Sequence, residues 1–263
     1  MKIAGSTVLL TGATGGIGLA IARAVHERGG KLIVTGRRVD VLEPLAQELG
    51  ARALAVDLAD AAEVDRLVRE AGEVDILIAN AALPGSGRLE SFTAQEIDRA
   101  LDVNLRAPII LAHSLLPAMV ARRSGHLLFM SSIAGKAASP GTLLYTASKF
   151  GLRGFASSLR ADLHDSGVGV STVMPGFIRE AGMFAEADVK LPPGVGTRTP
   201  DDVAKATIKA IEHNRGEIEV APLTLRASAT LASVAPEFAG RISRKAGGEQ
   251  VARDMAAGQR HKR

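Results

Sequence analysis

Along most of the chain, short apolar runs of strand length alternate with longer segments in which apolar residues recur at helical spacing. This alternation constrains the fold more than any other feature. Strands that are apolar throughout must be covered on both faces, and a helix between successive strands supplies that cover. Strands are predicted over 8–11, 32–35, 53–56, 76–79, 127–130, 168–173 and 218–220. The helix predicted over 16–27 puts Ile17, Ile21 and Val25 on one stripe, and a longer one over 94–120 carries Ile97, Leu101 and Leu105 at the same spacing. Pro108 lies inside the longer helix and should kink or divide it, because proline removes an N–H from the helical ladder. Thr199-Pro200-Asp201-Asp202 reads as a helix start, with a capping hydroxyl, a proline at the first position and acids in the first turn. The expected class is α/β: a doubly wound parallel sheet of about seven strands with helices on both faces.

No internal repeat or low-complexity linker divides the chain, so residues 1–222 read as one domain. Residues 223–263 read as a C-terminal extension, apolar at Leu223, Leu225, Leu231 and Val234 and basic at its end. Within the domain, 176–199 contains Gly176, Pro192, Pro193, Gly194 and Gly196; it is too long for a simple turn and suits a lid. The balance of 46% apolar and 23% charged residues is that of a soluble globular protein, and no membrane span is expected. The stretch after Lys2 enters a glycine-rich turn directly, so no secretory signal is read there. With no cysteine there is no disulfide, thiolate nucleophile or Cys-based zinc site, and a cytoplasmic location is expected. The histidines are scattered without the i, i+4 pairing of a helical zinc site, so no metal is expected. The net charge of +4 invites a nucleic-acid reading, but the densest basic cluster is the end, Gln259-Arg260-His261-Lys262-Arg263, without interleaved aromatics. It reads as a solvated tail, and no nucleic-acid partner is expected.

The first strand hands over to the first helix through Thr11-Gly12-Ala13-Thr14-Gly15-Gly16-Ile17-Gly18. Glycines at such a handover allow a tight turn, a close approach to a pyrophosphate and tight packing of helix on strand, while the helix N-terminus offers free N–H groups to the phosphate charge. In this position the cluster points to a dinucleotide site. The second strand should end at the adenosine ribose, where an acid would select NAD. Here Gly36 holds that place and Arg37 and Arg38 follow, so the turn predicts NADP(H), with Arg37 the first choice; the plainer alternative is a solvated helix start. Asp57, with Leu58 beside it after the third strand, is placed either to accept from the adenine amino group or to cap the next helix.

Four features fall where the carboxyl ends of the strands should meet the reacting end of a dinucleotide. Asn80 and Ala81 follow the fourth strand, Asn104 lies in the long helix, Ser131 and Ser132 close the fifth strand, and Tyr145 and Lys149 open the next helix. Tyr145 is the only tyrosine, and Lys149 follows four positions later, so the two project from one helix face. A free phenol is a poor base at neutral pH, and a nearby ammonium should draw it toward the working range. Each residue has a structural alternative, as core phenol, helix polar group, turn serine or surface lysine; their joint occurrence downstream of a phosphate turn favours chemistry.

The order Thr-Gly-x-x-x-Gly-Ile-Gly, Asn-Ala, Asn, Ser and Tyr-x-x-x-Lys resembles the short-chain dehydrogenase/reductase family over residues 6 to about 220. The resemblance implies a Rossmann-like sheet and a catalytic tetrad of Asn104, Ser132, Tyr145 and Lys149, with Ser132 preferred over Ser131 by its distance from the tyrosine. It implies that Tyr145 passes a proton to a carbonyl oxygen as hydride leaves the nicotinamide, and that Ser132 polarises that carbonyl. Lys149 would bind the nicotinamide ribose and lower the tyrosine pKa, and Asn104 would hold a relaying water. Cofactor contacts are expected from Gly12, Thr14, Gly15, Gly16, Ile17, Gly18, Arg37, Arg38, Asp57, Leu58, Asn80, Ala81, Tyr145, Lys149, Pro175, Gly176 and Ile178. The family also implies a homodimer or homotetramer, pairing the long helix and the helix of Tyr145. Three departures stand out. Ala79-Asn80-Ala81-Ala82 replaces the usual Asn-Asn-Ala-Gly, and Glu180 replaces a threonine that contacts the carboxamide. Ala221-Pro222-Leu223 replaces the Val-Asp-Gly-Gly of ketoacyl carrier-protein reductases, which weighs against that substrate. Phe177, Met183, Phe184, Leu191, Leu223 and Leu225 suggest an apolar carbonyl or alcohol substrate. The alternative function is a non-catalytic NADP-binding sensor or scaffold with the same fold.

Overall fold

The computed structural model describes residues 1–185, 195–245 and 257–259. Part of the expected lid, with Leu191, Pro192, Pro193 and Gly194, and the basic end over 260–263 therefore lie outside the described residues. Seven strands, all parallel, form one sheet: β1 (Thr7–Leu10), β2 (Lys31–Gly36), β3 (Arg52–Ala55), β4 (Ile76–Ala79), β5 (Gly125–Met130), β6 (Val168–Pro175) and β7 (Glu217–Val220). Their order is β3-β2-β1-β4-β5-β6-β7. The chain winds outward from β1 to β3, returns to the middle and winds the other way, so the order reverses between β1 and β4. That is where a crevice opens at the carboxyl ends of an open α/β sheet.

The period-2 geometry of the strands divides the core into two layers. Val8, Leu10, Ile76 and Ile78 face one side and pack with α1 (Gly16–Glu27), α2 (Val39–Leu49) and α7 (Pro200–Glu212) through Ile21, Val25, Leu42, Leu45, Ile208 and Ile211. Leu9, Leu77, Leu127 and Phe129 face the other, against α3 (Ala61–Ala71), α5 (Ala107–Ala121) and α6 (Leu143–Asp162) through Leu67, Leu111, Met119, Leu152 and Ala156. Truncating one of these leucines to alanine should cost about 2–5 kcal/mol. Helix α7 starts as its sequence predicts: the Thr199 hydroxyl accepts from the Asp202 N–H and the Asp202 carboxylate accepts from the Thr199 N–H.

The long helix is divided. Helix α4 (Ala94–Leu101) gives way to a π-helical segment over Asp102–Arg106, and α5 follows. Pro108 explains the position of the break: it has no N–H to give to the carbonyl four residues back, which is that of Asn104. By length and composition Ala94–Ala121 could cross a membrane, but Ala107, Leu111, Ala112, Leu115 and Met119 are buried in the sheet's core. Beyond β7, α8 (Leu223–Val234) and α9 (Pro236–Lys245) form a helical extension. Its inner face, Leu225 and Ala229, packs on Ile133, Ala137 and Ala221. An ion-pair network ties it down: Glu219 of β7 accepts from Lys136 and from Arg226 of α8 at 3.0 Å.

Candidate active site

The glycine turn is shaped for close approach. Gly12 has φ +68°, and a Cβ there would stand 2.7 Å from the Ala81 Cα of the loop after β4. A Cβ on Gly18 would fall 2.1 Å from the Gly12 carbonyl oxygen, so α1 packs onto the turn only because residue 18 has no side chain. Around Gly15, by contrast, only the Gly12 oxygen lies within 4 Å of such a Cβ, at 3.6 Å, which leaves that side of the turn open at the start of α1. Together these form a cradle with the shape and donor chemistry of a pyrophosphate site. Gly16 faces the lid, with Ala181 packed where its side chain would be; Ile17 is half-buried beside it.

One residue that the sequence reading did not single out holds the crevice together. The Thr11 hydroxyl accepts from the N–H groups of Asn80 and Ala81 at 3.0 and 3.1 Å, and the Asn80 amide donates to the carbonyls of Thr11 and Gly12 at 3.0 and 3.2 Å. The two strand ends at the reversal are thereby stitched to each other.

At the adenosine end, Arg38 donates to the Thr14 carbonyl and braces the glycine turn, while Arg37 is exposed. Asp57 does not cap α3; Asp60 does, accepting from Ala62 N–H and Glu63 N–H. The Asp57 carboxylate instead accepts from Ala59 N–H at 3.1 Å and from Arg99 of α4 at 2.7 Å. Burial pushes its pKa upward, but the Arg99 and Ala59 bonds and the charges of Arg99 and Arg37 outweigh that and hold the carboxyl below its usual range. Leu58 beside it is a core residue. Arg99 carried no signal in the sequence beyond its place on a helix.

At the other end, Ser132 shares a hydrogen bond with the Tyr145 phenol, and its hydroxyl also donates to the Pro175 carbonyl at 3.2 Å and accepts from Ala134 N–H at 3.1 Å. Ser131 points away, donating to the Lys149 carbonyl at 3.0 Å in the interior. Lys149 is 1% exposed; its ammonium donates to the Met130 carbonyl at 2.8 Å and lies 5.5 Å from the centre of the Tyr145 ring. Burial pushes the Lys149 pKa down to about 8. It also raises that of Tyr145, against the opposing Ser132 bond. In the protein alone the net direction for the phenol is upward, because desolvation of the phenolate dominates. Asn104, fully buried, uses its side chain on the loop after β4: Oδ1 accepts from Leu83 N–H at 2.6 Å and Nδ2 donates to the Leu83 carbonyl at 2.9 Å. Its main-chain carbonyl lies four residues before Pro108, which has no N–H to offer it.

Gly176 is small because Leu225 of α8 fills the space beside it, at 2.8 Å from an added Cβ, and its N–H donates to Val220. The Ile178 side chain lies in the core, so these two can reach a cofactor by backbone alone. Leu223 is 76% exposed and Leu225 is turned inward, leaving Phe177 and Phe184, with ring centres 5.0 Å apart, as the apolar pair of the lid. Glu180 takes φ +73° and accepts from Arg179 at 2.9 Å, a left-handed residue at the root of the lid. Buried Gln259 donates to the Met183 carbonyl at 3.0 Å, so the far end of the extension rests on the lid. Among the described residues no His, Cys, Asp and Glu cluster could hold a metal ion.

A doubly wound parallel sheet, a glycine cradle at its first crossover and a serine, tyrosine and buried lysine at the same crevice define an oxidoreductase that uses a nicotinamide dinucleotide. Residues 6–191 match the family of the short chain dehydrogenases, and the chain belongs to that family. It is 34% identical over 227 residues to ketoacyl reductase HetN of Nostoc sp., covering 83% of this chain and 79% of that protein. To the 3-oxoacyl-[acyl-carrier-protein] reductase FabG of Rickettsia typhi it is 37% identical over 177 residues, 66% of this chain and 73% of that one. Among solved structures, a short-chain dehydrogenase from Sphingobium yanoikuyae in complex with NADPH superposes with a TM-score of 0.77 at 29% identity, covering 89% of this chain and 94% of that one.

Proposed function

We propose that the chain is an NADP(H)-dependent oxidoreductase that reduces a carbonyl to an alcohol, or runs the reverse, with Tyr145 as the general acid or base. The observation that carries this reading is the Tyr145 phenol bonded to Ser132 with the buried Lys149 ammonium beside its ring, at the point where strand order reverses. The residues fit the cofactor. Gly12, Thr14, Gly15, Gly16 and Gly18 would cradle the pyrophosphate, Arg37 would bind the phosphate that distinguishes NADP(H), and Lys149 would bind the nicotinamide ribose. The bound cofactor supplies the hydride.

Ser132 orients the carbonyl through its hydroxyl. Tyr145, protonated at neutral pH as an ordinary phenol is, gives its proton to the carbonyl oxygen as negative charge develops there. Lys149 returns a proton toward the phenol, and with a pKa near 8 it can lose and regain one at little cost. Asn104 keeps the loop after β4 in place with its side chain and offers its carbonyl to the water that relays the proton. The NADPH-bound neighbour and the ketoacyl reductases among the relatives support the cofactor and the reductive direction. The Ala221-Pro222-Leu223 ending and the Phe177–Phe184 pair favour a small apolar carbonyl compound over a carrier-protein thioester. Exposed Val120 and Phe150, on α5 and α6, support pairing of copies through those helices, and the absence of cysteine supports a cytoplasmic setting. The test is an NADPH-consumption screen over aldehydes, ketones, quinones and ketosteroids with Tyr145→Phe as the blank. Turnover in the wild type alone is expected, and equal rates in the two proteins would overturn the proton-donor role.

A further inference from the structure

Helix α8 is apolar on two opposite sides. Leu225 and Ala229 point inward. Leu223, Ala227, Leu231 and Val234 form a second stripe at helical spacing, and it faces solvent: Leu223 is 76% exposed, Leu231 43% and Val234 80%. Phe238, 58% exposed, extends the patch onto α9 and lines a shallow depression with Ala235, Pro236, Glu237 and Arg241. Single exposed leucines are ordinary, but a run of them along a helix that is apolar on both sides calls for a cover.

The distribution of charge says what the cover is. Residues 223–263 contain eight Lys and Arg against three Asp and Glu, a net +5, whereas residues 1–222 contain 24 against 25, a net −1. All of the chain's excess positive charge is thus carried by the extension that bears the exposed apolar stripe. Arg226 is spent on Glu219, but Arg241 is exposed, and Arg244 and Lys245 follow in the same helix. A second copy on this face, placed by twofold symmetry, brings two segments of like charge together. A nucleic acid satisfies the charge and leaves Leu223, Leu231 and Val234 uncovered. An anionic bilayer meets both needs, taking apolar side chains at the headgroup boundary and cations at its surface.

We propose that the α8–α9 extension docks this protein on an anionic lipid surface, with Leu231, Val234 and Phe238 entering the boundary and Arg241, Arg244 and Lys245 of α9 supplying the attraction. The helices lie on the bilayer and do not cross it.

The test is co-sedimentation of the full chain with vesicles of phosphatidylcholine alone and of phosphatidylcholine with phosphatidylglycerol, at low and high salt. Binding to the anionic vesicles is expected to exceed binding to the neutral ones at least about ten-fold and to fall with salt. Val234→Asp with Phe238→Ser should lower it by about the same factor, with the circular dichroism spectrum and the oligomeric state unchanged. Arg241→Glu with Arg244→Glu should lower binding to anionic vesicles without touching the apolar stripe. Equal binding to both kinds of vesicle, or none, overturns the proposal. So does a shift of Val234→Asp to a smaller species in light scattering, which would make the face a contact between copies.

Discussion

The two ends of the crevice are built from opposite materials. At the adenosine end the polar groups stand in or near solvent: Arg37 and Arg38 are exposed, and the paired side chains of Asp57 and Arg99 are 34% and 33% exposed. At the reacting end most are sealed, with Asn104 at 0%, Lys149 at 1% and Ser132 at 9%, and Tyr145 alone is partly open. Solvent screens the first set, so each arginine there contributes modestly and can be exchanged at modest cost. Burial amplifies the second, and there it changes the protonation chemistry itself.

If that contrast is right, substitutions should lose effect in order from the sealed end to the open one. Tyr145→Phe should lower kcat by about a thousand-fold while the emission of NADPH itself still changes on binding, since a positioned acid contributes on this scale. A variant keeping a tenth of wild-type turnover would break the comparison at its strongest point. Lys149→Met isolates the cost of burying an ammonium. The folded pKa of about 8 lies below the ordinary 10.5, so between those values the unfolded chain holds a proton that the folded chain has shed, and wild-type stability rises with pH. Tyr145, raised by burial, acts in the opposite sense above its ordinary value of 10.0. Denaturation midpoints from pH 8 to 10 should therefore show wild type gaining on Lys149→Met, by about 3 kcal/mol for the full shift; parallel curves would mean that the lysine keeps its proton in the fold up to its ordinary pKa.

At the open end, Arg37→Glu should reduce the preference for NADPH over NADH by about 10- to 100-fold in kcat/KM, the size of a charge-assisted hydrogen bond lost and a repulsion gained. An unchanged ratio would move the phosphate contact elsewhere. The smallest effect is expected from Arg99→Leu: removing the partner of a half-exposed Asp57 should weaken both cofactors equally, by about ten-fold or less, with kcat unaltered. A change in kcat would show that the adenosine end communicates with the sealed one.

The same contrast separates what the sequence made legible from what it hid. Strands buried on both faces are written as apolar runs, so β1 through β7 were readable to within one residue, apart from β5, which begins two residues earlier, and β6, which runs two residues on to Pro175. The glycine turn was readable because its constraint is local: a Cβ at Gly18 collides with Gly12, six residues away. Partners set by strand order were not. Thr11 meets Asn80, and Arg99 meets Asp57, only because β1 lies beside β4 and α4 is carried over the crevice. The burial of Lys149 was hidden for a related reason: nothing local tells a lysine that a carbonyl of β5 will satisfy it. The helices α8 and α9 read only as an apolar and then basic tail, because α8 has apolar residues on both sides and so lacks a clear amphipathic period.

An unbroken helix over Ala94–Ala121 would shield its amide hydrogens as one cooperative block. With the π segment at Asp102–Arg106, protection divides into two, and the weak seam contains Asn104. Hydrogen exchange at 102–107 thus becomes a built-in reporter: cofactor or substrate arriving beside Asn104 should slow exchange there, while the flanking turns of α4 and α5 stay as they were.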